Sequence, residues 1–402
     1  MRRNKRHPSL LAALAVVVTL VVAACGGDDA SDTPAADVSS TDPAAEASGW
    51  DEIASAAEGQ TVRFWMWGGD ARVNAYIDDV VGPAARERGI EIERVPIDDT
   101  ADAVQRVVAE VRAGEENGAV DLIWINGENF AAGKEADLWL TDWVSGLPNS
   151  TYVDLEDPSI ALDFQVPTDG QEAPWSRAAF IFAYNAETVE TPPETFEGLL
   201  EWARENPGRF TYPAPPDFTG SAFVRNVIQQ VGSREAAWEL LRELRELQHR
   251  GGDAFPENEA ELNELFANGE VDIAMSYDPG FVQGAVSKGQ FPESARPFLI
   301  DGGALVNTSY VVIPRNAANA EAAQVLADVL LDPALQAQKA DPETLGLPTV
   351  LDLSLLTEAQ RAVFSATTGS VYLLDDFGEL LSELAASEVG PIEEEWIAEV
   401  LR

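Results

Sequence analysis

The stretch DLIWINGENFAAGK, Asp121–Lys134, decides how the chain is read. With Ala119 and Val120 before it, its first half is an apolar run of strand length that ends at Ile125, and from Glu128 the spacing is that of a helix. A strand passing into a helix through a short polar junction is the repeating unit of a parallel α/β sheet. Ligands of such sheets lie beyond the carboxyl ends of the strands, so Trp124, Asn126, Gly127, Glu128 and Asn129 stand where a site belongs. The junction has two readings. The free amides of the first helical turn receive an anionic group or are capped by Asn126, and Glu128 complements the helix dipole or faces a cationic solute. Trp124 is a wall residue or a core residue.

The same unit precedes this stretch twice. TVRFWMWGG, Thr61–Gly69, reads as a first strand ending in glycines, followed by a helix over 70–89 with Val73, Tyr76, Ile77 and Val80 on one face. A strand over 90–96 and a helix over 101–113 come next. Along the first strand Trp65 and Trp67 face one way, Phe64 and Met66 the other. Gly68 and Gly69 permit close approach of a ligand to the backbone, which adds Trp67, Gly68, Gly69 and Asp70 to the candidates, with core packing as the alternative for the tryptophans.

Downstream, an irregular section over 140–175 leads to SRAAFIFAY, Ser176–Tyr184, which reads as one strand. Helices are expected from about Thr195 to before Pro207, over 233–250 and over 257–268; Phe218–Ser221 reads as a loop with Ser221 capping the helix that follows. A strand over 271–277 opens onto Asp278, another starts at Ser309, helices cover 318–331 and 333–339, and the tail over 357–402 reads as mainly helical. This order implies a second α/β lobe over 185–305 inserted in a first, which occupies 50–184 and resumes over 306–402. The expected crossings lie near 183–185 and 305–310. Lobes joined by extended crossovers hinge about a cleft.

Residues 1–24 pair a basic head with an apolar run from Leu10 to Ala24, the layout of an export signal. VVAAC, Val21–Cys25, resembles the lipobox of bacterial lipoproteins, in which the cysteine is lipidated, so the chain is expected to be anchored through Cys25 to the outer face of the cell membrane. Residues 25–49 are small, acidic or turn-forming and read as a flexible tether.

Charge excludes one class of partner. The chain carries a net −43, and outside the signal its lysines are only Lys134, Lys288 and Lys339, so nucleic acid is a poor partner. Self-repulsion of this size suits a salty surrounding, where charges are screened within a few ångströms. Catalytic chemistry is poorly supplied. His249 is the one histidine outside the signal, Cys25 is the only cysteine, and neither GxxxxGK[ST] nor GxSxG occurs, so no metal site and no cofactor is expected. A carboxylate-pair hydrolase remains as an alternative, because 69 acidic residues bring some pair to a working distance by chance.

FWMWGG (Phe64–Gly69), DLIWINGENFAAGK, Pro174–Trp175, YPAPPDFTGSAFVRN (Tyr212–Asn226), AMSYDPG (Ala274–Gly280) and NTSYVVIPRNA (Asn307–Ala317) together give the chain its likeness. It resembles a bacterial extracellular solute-binding protein, the receptor of an ABC importer, and within that superfamily a YnjB-like branch distantly similar to thiamine, polyamine and iron receptors. The resemblance implies a two-lobed type II periplasmic-binding-protein fold that closes over a small solute and docks, as a monomer, on a permease served by an ATPase. Trp175, Tyr184, Tyr212, Asp217, Ser221, Tyr277, Asp278 and Tyr310 fall across the expected cleft, with hinge packing as the alternative for each aromatic. Aromatic faces beside carboxylates favour an organic cation or a zwitterion such as a thiamine-like compound. A sensor without transport and a ferric-ion receptor are the other readings.

Overall fold

The computed structural model describes residues 43–252, 254–300, 303–364, 370–374 and 377–402, with side chains from residue 49 onward. The export signal, Cys25 and the tether as far as Asp42 lie outside the described residues. The end of the stretch read as tether is helical, Pro43–Ala57, and its Trp50 and Ile53 pack on the core of the first lobe.

Eleven strands are described: β1 Thr61–Trp67, β2 Glu91–Ile97, β3 Leu122–Ile125, β4 Leu162–Asp163, β5 Val166–Pro167, β6 Glu172–Ala179, β7 Ile181–Asn185, β8 Ile273–Ser276, β9 Ala295–Phe298, β10 Ala304–Val312 and β11 Leu380–Ser382. In the larger sheet β1 lies between β2 and β3, both parallel to it. β10 runs antiparallel to β3, pairs along most of its length with β6, and at its start with β11. The smaller sheet has β7 between β8 and β9, both antiparallel. Strands β4 and β5 form a hairpin of their own.

The expected strands and crossover helices of the first lobe are present. On β1 the face of Val62, Phe64 and Met66 is buried, as alternation requires. The helix Thr100–Ala113 starts at Asp99, which accepts from the Ala101 amide, and ends at Gly114 in the left-handed region. The helix expected over 70–89 is two α segments, Ala71–Ala75 and Gly82–Glu87, joined by a π turn over Tyr76–Val81. Pro83 accounts for this, since it lacks an amide proton and its ring crowds the carbonyl four residues back.

Two features depart from the sequence reading, and a third crossing, which the sequence left open, is present. The run read as one strand is two, β6 and β7, and the chain leaves the large sheet at Phe180, whose amide donates to the Leu305 carbonyl. The return lies between Phe298 and Ala304, because β10 starts five residues before Ser309. A third crossing follows β11: the C-terminal helix Ala386–Trp396, with its continuation Ile397–Leu401, places Ile392, Trp396 and Val400 in the core of the smaller sheet. The indole N–H of Trp396 donates to the Tyr212 hydroxyl there.

In that second lobe the helix Phe218–Val231 begins at Asp217, so Ser221 lies inside it rather than capping it. Gly220 in its first turn lies so near the preceding chain that a Cβ would stand 2.1 Å from the Pro213 carbonyl oxygen. Gly220→Ala is therefore expected to lower the unfolding free energy by about 1–3 kcal/mol, read as a drop in Tm.

Candidate ligand-binding cleft

The end of β1 forms the first rim. The Gly68 amide donates to the Ile97 carbonyl at 3.0 Å, and the Trp67 ring lies over Gly69 so closely that a Cβ there would fall 2.2 Å from it. Trp67 is 38% exposed, a large apolar surface left open at a strand end. Asp70 caps the next helix through the Arg72 amide, and the Arg72 guanidinium reaches back to Asp70 and across to Asp278, which follows β8 in the smaller sheet. It also donates to the Gly280 carbonyl. This residue ties the two sheets together at the cleft edge.

At the end of β3 the helix Gly127–Glu135 starts from an extended Asn126 whose side chain makes no capping bond. Gly127 has φ +63°, and the Phe164 ring lies 3.1 Å from where its Cβ would be, so only glycine fits. The first free amide is occupied: Gly127 N–H donates to the buried Asp163 carboxylate at 2.6 Å. An internal carboxylate thus fills the place read as an anion site for solute. Glu128 points outward, exposed at its surface yet walled by protein. Burial raises its carboxyl pKa, its own amide and Arg225 pull the other way, and Glu393 and Glu383 add to the rise. Asn129 is half-buried beside it.

The helix Phe218–Val231 supplies the opposite wall. Asp217, Ser221 and Arg225 recur at one-turn intervals of about 6 Å, so they line one face. Phe218 is 39% exposed, with its ring 5.3 Å from that of Tyr277. Arg225 is buried. It pairs with Glu383 at 2.8 Å and donates to Ser221, which donates to Glu393. Tyr277 donates its hydroxyl to Glu383. Desolvation opposes the guanidinium charge, but Glu383 prevails and raises the Arg225 pKa; burial, then Glu383, holds the Tyr277 hydroxyl protonated. One turn away, Glu259 accepts from Thr219 at 2.6 Å, and its pKa is pushed up to about 7 by burial, with Asp217 and Asp70 adding to the rise.

Of the residues singled out in the sequence, the structure gathers Trp67, Gly68, Gly69, Asp70, Asn126, Gly127, Glu128, Asn129, Asp217, Ser221, Tyr277 and Asp278 about these rims. It does not bring Trp175, Tyr212 or Tyr310 there. Trp175 is 1% exposed, Tyr212 packs on Phe223 and Trp396, and the Tyr310 hydroxyl donates to the Ile160 carbonyl, so all three belong to the core. Trp124 meets Trp175 edge-on at 5.0 Å and is half core. Tyr184 pairs with Ile273, three residues from the end of β7 that adjoins Ser276, which puts it about 10 Å from the Tyr277 end. Residues not singled out are Arg72, Phe218, Arg225, Glu259, Glu383 and Glu393. Arg225 had a signal, one helical turn after Ser221; Glu383 had none.

A family profile described as bacterial extracellular solute-binding protein matches residues 80–363. The chain belongs to this family, the solute receptors of ABC importers. It is 38% identical over 364 residues to the protein YnjB of Escherichia coli K12, covering 86% of this chain and 92% of that one. Its fold is that of solved periplasmic binding proteins. AfuA of Actinobacillus pleuropneumoniae, solved with fructose-6-phosphate, superposes with a TM-score of 0.60 at 12% identity, over 85% of this chain and 99% of that one. The spermidine/putrescine substrate-binding protein PotD of Streptococcus pneumoniae gives 0.59 at 15% identity, over 84% and 99%. A solute-binding protein of this family is exported and works by binding rather than by bond making, and membership implies an ABC permease with its ATPase as partners.

Proposed function

We propose that this receptor captures a small organic cation between its two lobes and delivers it to the permease while held at the membrane through lipidated Cys25, as a monomer. The observation that supports this reading is a set of carboxyl groups at the cleft, Glu128, Asp217, Glu259 and Glu393, each pushed up by the protein packed around it and none in an ion pair among the described residues. The two guanidinium groups at hand, Arg72 and Arg225, are already ion-paired, so neither is free to take the anionic end of a zwitterion. Trp67 and Phe218 offer open aromatic faces to a quaternary or aromatic ammonium, of which a thiamine-like compound is one form. Capture draws the lobes together about Phe180 and the two later crossings, with Arg72–Asp278 closing the edge.

A thermal-shift screen of quaternary ammonium, thiamine-like and amine cations, against sugars and phosphorylated anions, tests the charge class. A cation at a hundredfold excess over its Kd adds about 2.7 kcal/mol of stability. Trp67→Ala is expected to weaken that ligand about 2- to 30-fold, the loss of one cation–π face, with Tm in the absence of ligand unchanged. Glu128→Gln is expected to weaken it about tenfold, more at low salt than at high. Stabilisation by an anion or neutral sugar alone, with both variants binding as wild type, would reject the reading.

A further inference from the structure

Behind the Gly127 corner lie two carboxyl groups that the cleft does not use. Asp163 and Glu172 are 1% and 2% exposed. Asp163 spends one oxygen on the Gly127 amide; its Oδ1, and both Oε1 and Oε2 of Glu172, are buried with no hydrogen-bond partner. The topology gathers them. Glu172 stands opposite Val312 and Pro174 opposite Tyr310, so Glu172 and Tyr310 share one face of the β6–β10 pair. The Tyr310 hydroxyl lies 3.0 Å from the Ile160 carbonyl oxygen and 3.4 Å from that of Leu162, the residue before Asp163.

The unpartnered atoms of this place are all carboxylate oxygens, and the donors beside them are spent, the Gly127 amide on Asp163, the Tyr310 hydroxyl on the Ile160 carbonyl and the Thr308 hydroxyl on the Ser159 carbonyl. Protonation does not complete it: a neutral Glu172 would still bury both an O–H and a C=O without partners, which native interiors rarely tolerate. Of the nearby cations, the Lys134 ammonium is spent on the Pro167 carbonyl and Asp169, and Arg177 pairs with Asp157 at 3.6 Å. A buried set of carboxylate and carbonyl oxygens is what a hard cation takes, and a divalent ion would balance the two carboxylates. We propose that Asp163 and Glu172 form an internal site for one calcium-class cation, closed over by the β4–β5 hairpin. The site is separate from the solute cleft and stands whether or not the solute is cationic. Through Asp163 it would brace the Gly127 amide, and with it the corner that carries Glu128.

The test uses the full mature chain stripped with EDTA and then titrated with CaCl2, with NaCl and MgCl2 as controls. One saturable calcium ion per chain by calorimetry is expected, with a rise in Tm of a few degrees at a hundredfold excess over Kd. Asp163→Asn and Glu172→Gln should each abolish that saturable ion, whereas Glu358→Gln on the surface should leave it intact, which separates the site from diffuse attraction to an acidic chain. A calcium response in both core variants equal to that of wild type would overturn the proposal, as would the absence of any saturable ion in wild type. Should either variant fail to fold, terbium in the wild-type protein replaces it. Luminescence sensitised by Tyr310 and lost in Tyr310→Phe supports the site; equal luminescence in the two overturns it.

Discussion

Alanine at position 225 is expected to lower the unfolding free energy by about 3–5 kcal/mol, read by urea denaturation. Arg225 and Glu383 are both buried and lie 158 residues apart in the chain, and Tyr277 and Ser221 share their polar atoms with them. Removing the guanidinium leaves the Glu383 carboxylate without a counter-charge in a place water does not reach, and that uncompensated group, rather than the lost bond, sets the cost. The Phe164 and Phe218 rings that flank the guanidinium at 5.4 and 6.0 Å lose their contact as well. An apolar pair, Arg225→Met with Glu383→Leu, should recover much of the loss, since removing both charges together leaves no orphan ion. A double variant no better than alanine alone would mean that packing of the arginine stem, and not charge, is what the position supplies.

This network also marks where reading the sequence stopped. The first lobe was legible because its strands and helices carry strong periodicities and Asp or Gly at their ends, as at Asp99 and Gly114. The double strand β6–β7 was not, because EAPWSRAAFIFAY has no alternation: nearly every residue is buried on both faces, and nothing marks the break at Phe180. The start of β10 was missed for the opposite reason, since Asn307 and Thr308, just before the expected start at Ser309, are polar, yet both are buried. Within the site, the β1 and β3 corners followed from position alone. Residue type misled where it was ambiguous, and so Trp175, Tyr212 and Tyr310, as plausible in a wall as in a core, fell in the core. Glu383 and Glu393 reach the cleft only because the chain crosses a third time, a long-range fact with no local signature.

Glu259 is expected to make stability fall as pH rises. Its folded pKa of about 7 lies above the ordinary carboxyl value of 4.5, through burial first and then the nearby Asp217 and Asp70 charges. Between those two values the folded chain holds a proton that the unfolded chain has released, so the linkage slope is negative and stability declines across that window. The full shift corresponds to about 3 kcal/mol, and partial exposure of the side chain reduces this to about 2. Glu259→Gln, which cannot ionise, should flatten that part of the pH profile while leaving the contribution of Asp328, raised to about 6, in place. Ionisation that is costly in the empty receptor is what a bound cation would relieve. Capture at pH 7, where Glu259 holds about half a proton, should therefore release up to about half a proton, seen in calorimetry as a heat that changes with the ionisation enthalpy of the buffer, and affinity should rise from pH 6 to pH 8. In Glu259→Gln both effects should vanish. A buffer-independent heat in the wild-type protein would place the bound charge away from Glu259, and with it the solute away from the start of the helix that begins at Phe218.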